Sequence, residues 1–207
     1  MSQPKIVVHA RRYPVSSATE IRDIIIAWVA LSSAFLIAER GQLIRGGTLF
    51  VNLFASLTVV GSGFILHEMM HKFVARRYGF WAEFRLWMNG LLLALLTSLI
   101  GVVFAAPGAT YISAVSATRK ENGVISLAGP ATNIVVAVAY TPLLFSSSLL
   151  LAELGGIGLS INLFLAAFNM IPIMPLDGAK VFRWNKPLWA IVFVCLVASL
   201  AYLFLGL

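Results

Sequence analysis

Two histidines and a glutamate stand in the stretch F-I-L-H-E-M-M-H, with His67 and His71 four positions apart and Glu68 next to the first. On an α-helix positions i and i+4 share a face, so both imidazoles can reach one tetrahedral zinc ion at about 2.0–2.1 Å. Glu68, offset by one position, projects beside that metal. A carboxylate there can take a proton from the activated water and pass it to a leaving amine. The spacing therefore points to metal-assisted hydrolysis. The third histidine, His9, precedes Arg11 and Arg12 in a polar segment and reads as a solvated surface residue.

The surroundings of the motif are apolar. Of the 207 residues, 60% are hydrophobic and 11% charged, whereas a soluble domain carries about 25% charged residues. Apolar runs alternate with short charged stretches, as a chain facing lipid requires. The net charge of +7 does not indicate nucleic acid, because the Lys and Arg residues flank the apolar runs. The lone cysteine, Cys195, lies in the last apolar run and has no internal disulfide partner. Residues 1–23 read as a cytoplasmic tail without a signal peptide, and no linker or repeat divides residues 1–207, so a single domain is expected with its catalytic core at about 49–185. Two imidazoles and a carboxylate inside a membrane helix need compensation, which a metal and a wet pocket supply.

The fold class expected is an all-α membrane protein, a polytopic bundle of five to six spans. The clear apolar runs cover about 24–38, 49–75, 126–150, 157–171 and 187–207. A sixth, 90–106, is at the lower length limit for a crossing. If it crosses, the Lys and Arg residues divide almost evenly between the two sides. If it dips in and returns, residues 1–23 carry four, 72–120 six and 180–186 three on one side, against Arg40 and Arg45 on the other. The positive-inside rule favours the second arrangement, with five crossings, a cytoplasmic N-terminus and a re-entrant or β-hairpin-like segment near residues 80–113. Residues 82–87 and 104–113 carry strand and turn signals at its flanks.

A catalytic zinc takes three protein ligands and one open position. Glu20 and Asp23 suit the first turn of the first helix, where the dipole favours acids; Glu39, Glu121 and Glu153 read as interface or loop residues. Glu83 and Asp177 remain as competitors. Asp177 follows an apolar helix broken by Pro172 and Pro175, on the membrane side where the H-E-x-x-H helix ends. Glu83 alternates with Arg85 in the expected strand.

Three blocks together resemble the site-2 protease family of intramembrane metalloproteases: H-E-M-M-H (67–71), S-L-A-G-P-A-T-N (126–133) and N-M-I-P-I-M-P-L-D-G (169–178). They occur in the family's order and span most of the chain. The resemblance implies one Zn²⁺ per chain held by His67, His71 and Asp177. Glu68 is then the general base and acid of a zinc metalloendopeptidase, and Asn169 holds substrate backbone or the oxyanion. It also implies a cell-membrane enzyme with its active site toward the cytoplasm, cutting a locally unwound transmembrane helix of a membrane-protein substrate. Gly129 and Pro130 are expected to permit close helix approach, and Asn133 to bond across helices in a packing role rather than a catalytic one. Met69-Met70 departs from the family's more frequent Leu-Gly. The alternative is a catalytically silent homologue that binds and retains membrane proteins, against which the intact Glu68 speaks. A metal transporter would need ligands on more spans, and a site with glutamate as third ligand would leave the Asp-Gly motif unexplained.

Overall fold

The computed structural model describes residues 16–41, 43–103, 107–113 and 117–205. His9, most of the expected tail, and residues 104–106 of the second strand-like stretch lie outside them. In chain order the elements are α1 (Ala18–Ala38), α2 (Leu49–Val60), a π-helical turn (Gly61–Ile65), α3 (Leu66–Arg77), β1 (Trp81–Leu86), α4 (Met88–Ser98), β2 (Gly108–Ser113), α5 (Arg119–Tyr140) with a 3₁₀ turn (Thr141–Phe145), α6 (Leu149–Asn169), α7 (Asp177–Trp184) and α8 (Lys186–Leu205). Five of the described helices, counting α2 to α3 as one, are long and apolar enough to cross a membrane. The chain is an all-α polytopic membrane protein with one small sheet.

Among the described residues of 90–106, no helix is long enough for a sixth crossing. Only Met88–Ser98 is helical, and its 11 residues span about 16 Å at 1.5 Å each, half a hydrocarbon core. β1 and β2 pair antiparallel with Trp81 opposite Ser113 and Leu86 opposite Gly108, so the segment starts and ends side by side. Between the strands, α4 packs along α1 through Leu31, Ala34 and Ala94. Gly101, at φ 83°, then turns the chain back near the Ala38 carbonyl. The segment dips in beside α1 and returns. Gly108 has no room for a side chain: a Cβ there would lie 2.5 Å from the Arg85 carbonyl oxygen.

The first helix starts at Ala18 rather than at 24 because its charges are satisfied. Ser17 caps it by accepting from the Glu20 N–H at 3.1 Å. Glu20, fully buried, accepts from Lys72 Nζ at 2.5 Å and from the Phe84 N–H at 2.9 Å. Asp23 accepts from the Leu86 N–H at 3.2 Å. Two acids read from sequence as helix-terminal charges thus close the outer edge of β1, whose unpaired N–H groups would be costly in an apolar setting.

Two later boundaries also move. α5 begins at Arg119, held by a capping box between Thr118 and Glu121, so a polar first turn precedes the apolar run. α6 begins at Leu149 rather than 157. The glycines that weaken its hydrophobic signal are a packing surface, since a Cβ on Gly155 would lie 2.8 Å from Leu143 Cβ and one on Gly158 would overlap the Tyr140 ring.

Single cysteines at Gly79 and at Thr118, in a chain with Cys195→Ala, should react with an impermeant thiol reagent from the same side of sealed vesicles. Labelling from opposite sides would mean that the segment crosses.

Candidate metal centre

The helix carrying His67, Glu68 and His71 is interrupted just before them. Gly61-Ser62-Gly63 opens a π-turn, and neighbours satisfy carbonyls in and before it: Trp28 Nε1 donates to the Leu57 oxygen at 2.8 Å and Asn133 Nδ2 to the Gly63 oxygen at 2.8 Å. A Cβ on Gly61 would lie 2.9 Å from Trp28 Nε1. The turn resets the phase of α3, which sends both imidazoles toward α5 and α7.

Both rings are buried, at 5% and 7% exposure, and both are held from behind. His67 Nδ1 bonds Asn133 Oδ1 at 2.5 Å, and His71 Nδ1 bonds the Ile125 carbonyl at 2.7 Å. With Nδ1 donating to oxygen, each Nε2 presents its lone pair forward. Those atoms converge on Asp177 Oδ2, at 3.3 Å from His67 and 3.0 Å from His71. Ligand bonds of about 2.0–2.1 Å in a tetrahedron put ligand atoms about 3.3–3.4 Å apart. Both distances to Asp177 are close to an edge of a zinc coordination tetrahedron, and all three ligand atoms lie within 4.8 Å of one another. A carboxylate and two neutral imidazoles form a donor set suited to zinc.

Two glycines make the convergence possible. A Cβ on Gly129 would lie 2.5 Å from His67 Nε2 and would overlap His71 Nε2, so α5 offers bare backbone beside the cluster. A Cβ on Gly178 would collide with the Met170 backbone, and its absence seats the first turn of α7 against the end of α6, with Asp177 facing the histidines. Behind Asn133 the polar chain continues: its Nδ2 donates to Asn162 Oδ1 at 2.9 Å, and Asn162 Nδ2 to the Gly158 carbonyl at 2.8 Å.

Glu68 sits half-buried on the next position round α3. Its Oε2 accepts from the Thr110 N–H at 2.8 Å and lies 2.9 Å from Thr110 Oγ1. Thr110 pairs across from Phe84 in the sheet, and with the Phe84 N–H turned out to Glu20, the Thr110 N–H faces the opposite, outer edge of β2. The re-entrant segment therefore orients Glu68.

Among the described residues, His67, His71 and Asp177 are the group of acids, histidines and cysteines close enough to hold a metal ion. Glu83, the competing third ligand, is engaged by Ser17 and by Arg85 at 2.7 Å. Asn169 lies in the last turn of α6 with Nδ2 donating to the Leu165 carbonyl at 3.0 Å, and it makes no hydrogen bond to the cluster. Asn133 does more than pack helices, since it fixes the His67 ring. Sequence carried a signal for that: an asparagine in an apolar helix needs a partner. Thr110 had no comparable signal, because its role depends on sheet pairing.

The chain is 44% identical over 190 residues, 90% of its own length and 95% of the relative's, to a Methanocaldococcus jannaschii protein named “Putative zinc metalloprotease”. No family model matches it, and no solved structure matches it significantly.

Asn133→Leu should keep the fold but weaken metal retention roughly 10- to 100-fold, measured by competition with a chromogenic chelator. Gly129→Val should abolish metal uptake.

Proposed function

The chain belongs to the zinc metalloprotease family of that archaeal relative, and from this premise we propose that it is an intramembrane endopeptidase of the site-2 protease type. The observation that carries the reading is the convergence of His67, His71 and Asp177, with Glu68 beside them, inside a bundle of five apolar spans. A centre with that address acts on peptide bonds that lie in the bilayer. The substrate is a membrane protein with a transmembrane helix, and that helix must fray locally, because an intact helix keeps its carbonyls in intrahelical bonds.

His67, His71 and Asp177 would hold one zinc ion, which would supply polarisation of the scissile carbonyl and a more acidic water. The residues do the rest. Asn133 and the Ile125 carbonyl keep both imidazoles in the tautomer that ligates. Thr110 holds one oxygen of Glu68, leaving the other to work. Glu68 takes a proton as the water oxygen attacks the carbonyl carbon, then returns it to the departing nitrogen as the C–N bond breaks; a carboxylic acid and an amine result, and the acid's proton then passes to the amine to leave carboxylate and ammonium. Asn169, on the segment leading to Asp177, is assigned to the substrate backbone or the developing oxyanion, for which its amide has to leave the Leu165 carbonyl. The concentration of Lys and Arg on the side of residues 1–23, 72–120 and 180–186 supports a cell-membrane protein with N-terminus and metal centre toward the cytoplasm.

The test is purified protein loaded with zinc in detergent, with a labelled membrane-helix substrate. Glu68→Gln should keep stoichiometric zinc and lose cleavage by roughly 10²–10⁴-fold; cleavage surviving there would sink the mechanism. Asp177→Asn should lose zinc and cleavage together. Thr110→Val, isosteric but without the hydroxyl, should lower kcat roughly tenfold with zinc content unchanged, and Thr110→Ser should restore it.

A further inference from the structure

A second polar feature lies outside the metal centre. A cavity of about 700 Å³ opens where the start of α5, α7 from Lys180 onward and the start of α8 meet, lined by Arg119, Asn122, Lys180, Phe182, Arg183 and Lys186. Four of the six are cations and none is acidic. We propose that this cavity binds the phosphate-bearing headgroup of an anionic membrane lipid.

Arg119, Arg183 and Lys186 are exposed, as flanking charges generally are, but with Lys180 they come from three elements and line one space. They are also left unneutralised. Arg119, Arg183 and Lys186 form no ion pair with any described residue, and Lys180 has only a 3.9 Å contact to Asp177. The acid nearest to Arg119 in sequence, Glu121, is committed to its own helix cap, accepting from the Thr118 N–H at 2.7 Å and the Thr118 hydroxyl at 2.8 Å. Lys186 Nζ lies over the Phe182 ring at 5.2 Å, which leaves its charge available. The walls are firm, because a Cβ on Gly123 would lie 2.5 Å from Trp184 Cβ, so α7 sits directly on the α5 backbone.

Depth and surroundings identify the ligand as a lipid and not a soluble anion. Arg119 and Lys186 are the first residues of two helices long and apolar enough to cross a membrane, so the cavity lies at one end of those spans. Below Lys186, α8 is apolar and only 6% of its span is buried within the protein, so a lipid with its headgroup in the cavity has an open helix face for its acyl chains. Basic pockets between membrane helices are suited to anionic headgroups. Occupancy bears on the metal centre as well. α7 carries Asp177 at its first residue and Lys180 and Arg183 one and two turns on, so a headgroup gripping the latter pair steadies the helix that presents Asp177.

The experiment uses full-length protein in phosphatidylcholine vesicles with a minority of phosphatidylglycerol, extracted gently and examined by native mass spectrometry for retained lipid. Wild type should retain phosphatidylglycerol over phosphatidylcholine. Arg183→Gln with Lys186→Gln should lower that preference at least about tenfold, while Arg40→Gln with Arg45→Gln, at the other end of the spans, should leave it intact. The charge-keeping pair Arg183→Lys with Lys186→Arg should retain lipid, separating lost charge from lost fold. Equal retention in wild type and the Gln pair would overturn the proposal. So would full displacement of the lipid by excess inorganic phosphate, which would make the cavity a site for soluble anions. Neither readout depends on zinc or cleavage, so failure of the protease reading would leave this result standing.

Discussion

The two hydrogen bonds behind the histidines set the terms for the rest of the bundle. Asn133 and the Ile125 carbonyl can grip His67 and His71 only if α5 lies close against α3. That proximity is compatible with the imidazole tips only because position 129 has no side chain. The grip on Asn133 needs its own support, which Asn162 and the carbonyls of Gly63 and Gly158 provide. A buried polar network is stable when each member is satisfied, and here satisfaction ties α3, α5 and α6 together. Helix spacing, the choice of glycine and the polar residues of α6 are thus consequences of aiming two nitrogens.

A second set of polar contacts fastens the re-entrant segment. A two-stranded sheet has little stability of its own. In this one, helix carboxylates meet both outer edges: Glu20 and Asp23 along β1, Glu68 along β2. The buried Glu20–Lys72 pair links α1 to the helix of the histidines, one residue beyond His71. Removing one partner of such a pair leaves a buried charge uncompensated, a change of about 3–5 kcal/mol. The first span, with no ligand of its own, thereby positions the strand that orients Glu68.

Much of this was readable from residues alone. The H-E-x-x-H spacing, the Asp-Gly motif and the charge asymmetry of the loops led to the cluster His67, His71 and Asp177 and to five spans with a segment that returns, because each is a local or additive property. What stayed hidden depends on partners distant in sequence. Glu20 and Asp23 read as helix-end charges until β1 lay beside them. Asn133 read as a packing residue bonding across helices, without a partner, until His67 was opposite. The glycines of α6 lowered its hydrophobic signal in sequence and turned out to be its contact surface with the Tyr140 ring.

The π-turn at Gly61–Ile65 carries one residue more than the regular helix on either side would need. One residue corresponds to about 100° of rotation around a helix axis. The span from Leu49 to Arg77 therefore has a fixed count as well as a composition. Apolar replacements along its lipid side leave the ligands where they are, and a deletion inside the turn that straightens the helix would do so too, because it removes the residue the turn absorbs; straightening with the residue kept would rotate His67, Glu68 and His71 out of the cluster together. A one-residue gap is thus tolerable inside this short stretch and not in the regular helix between Leu66 and His71, where nothing absorbs it.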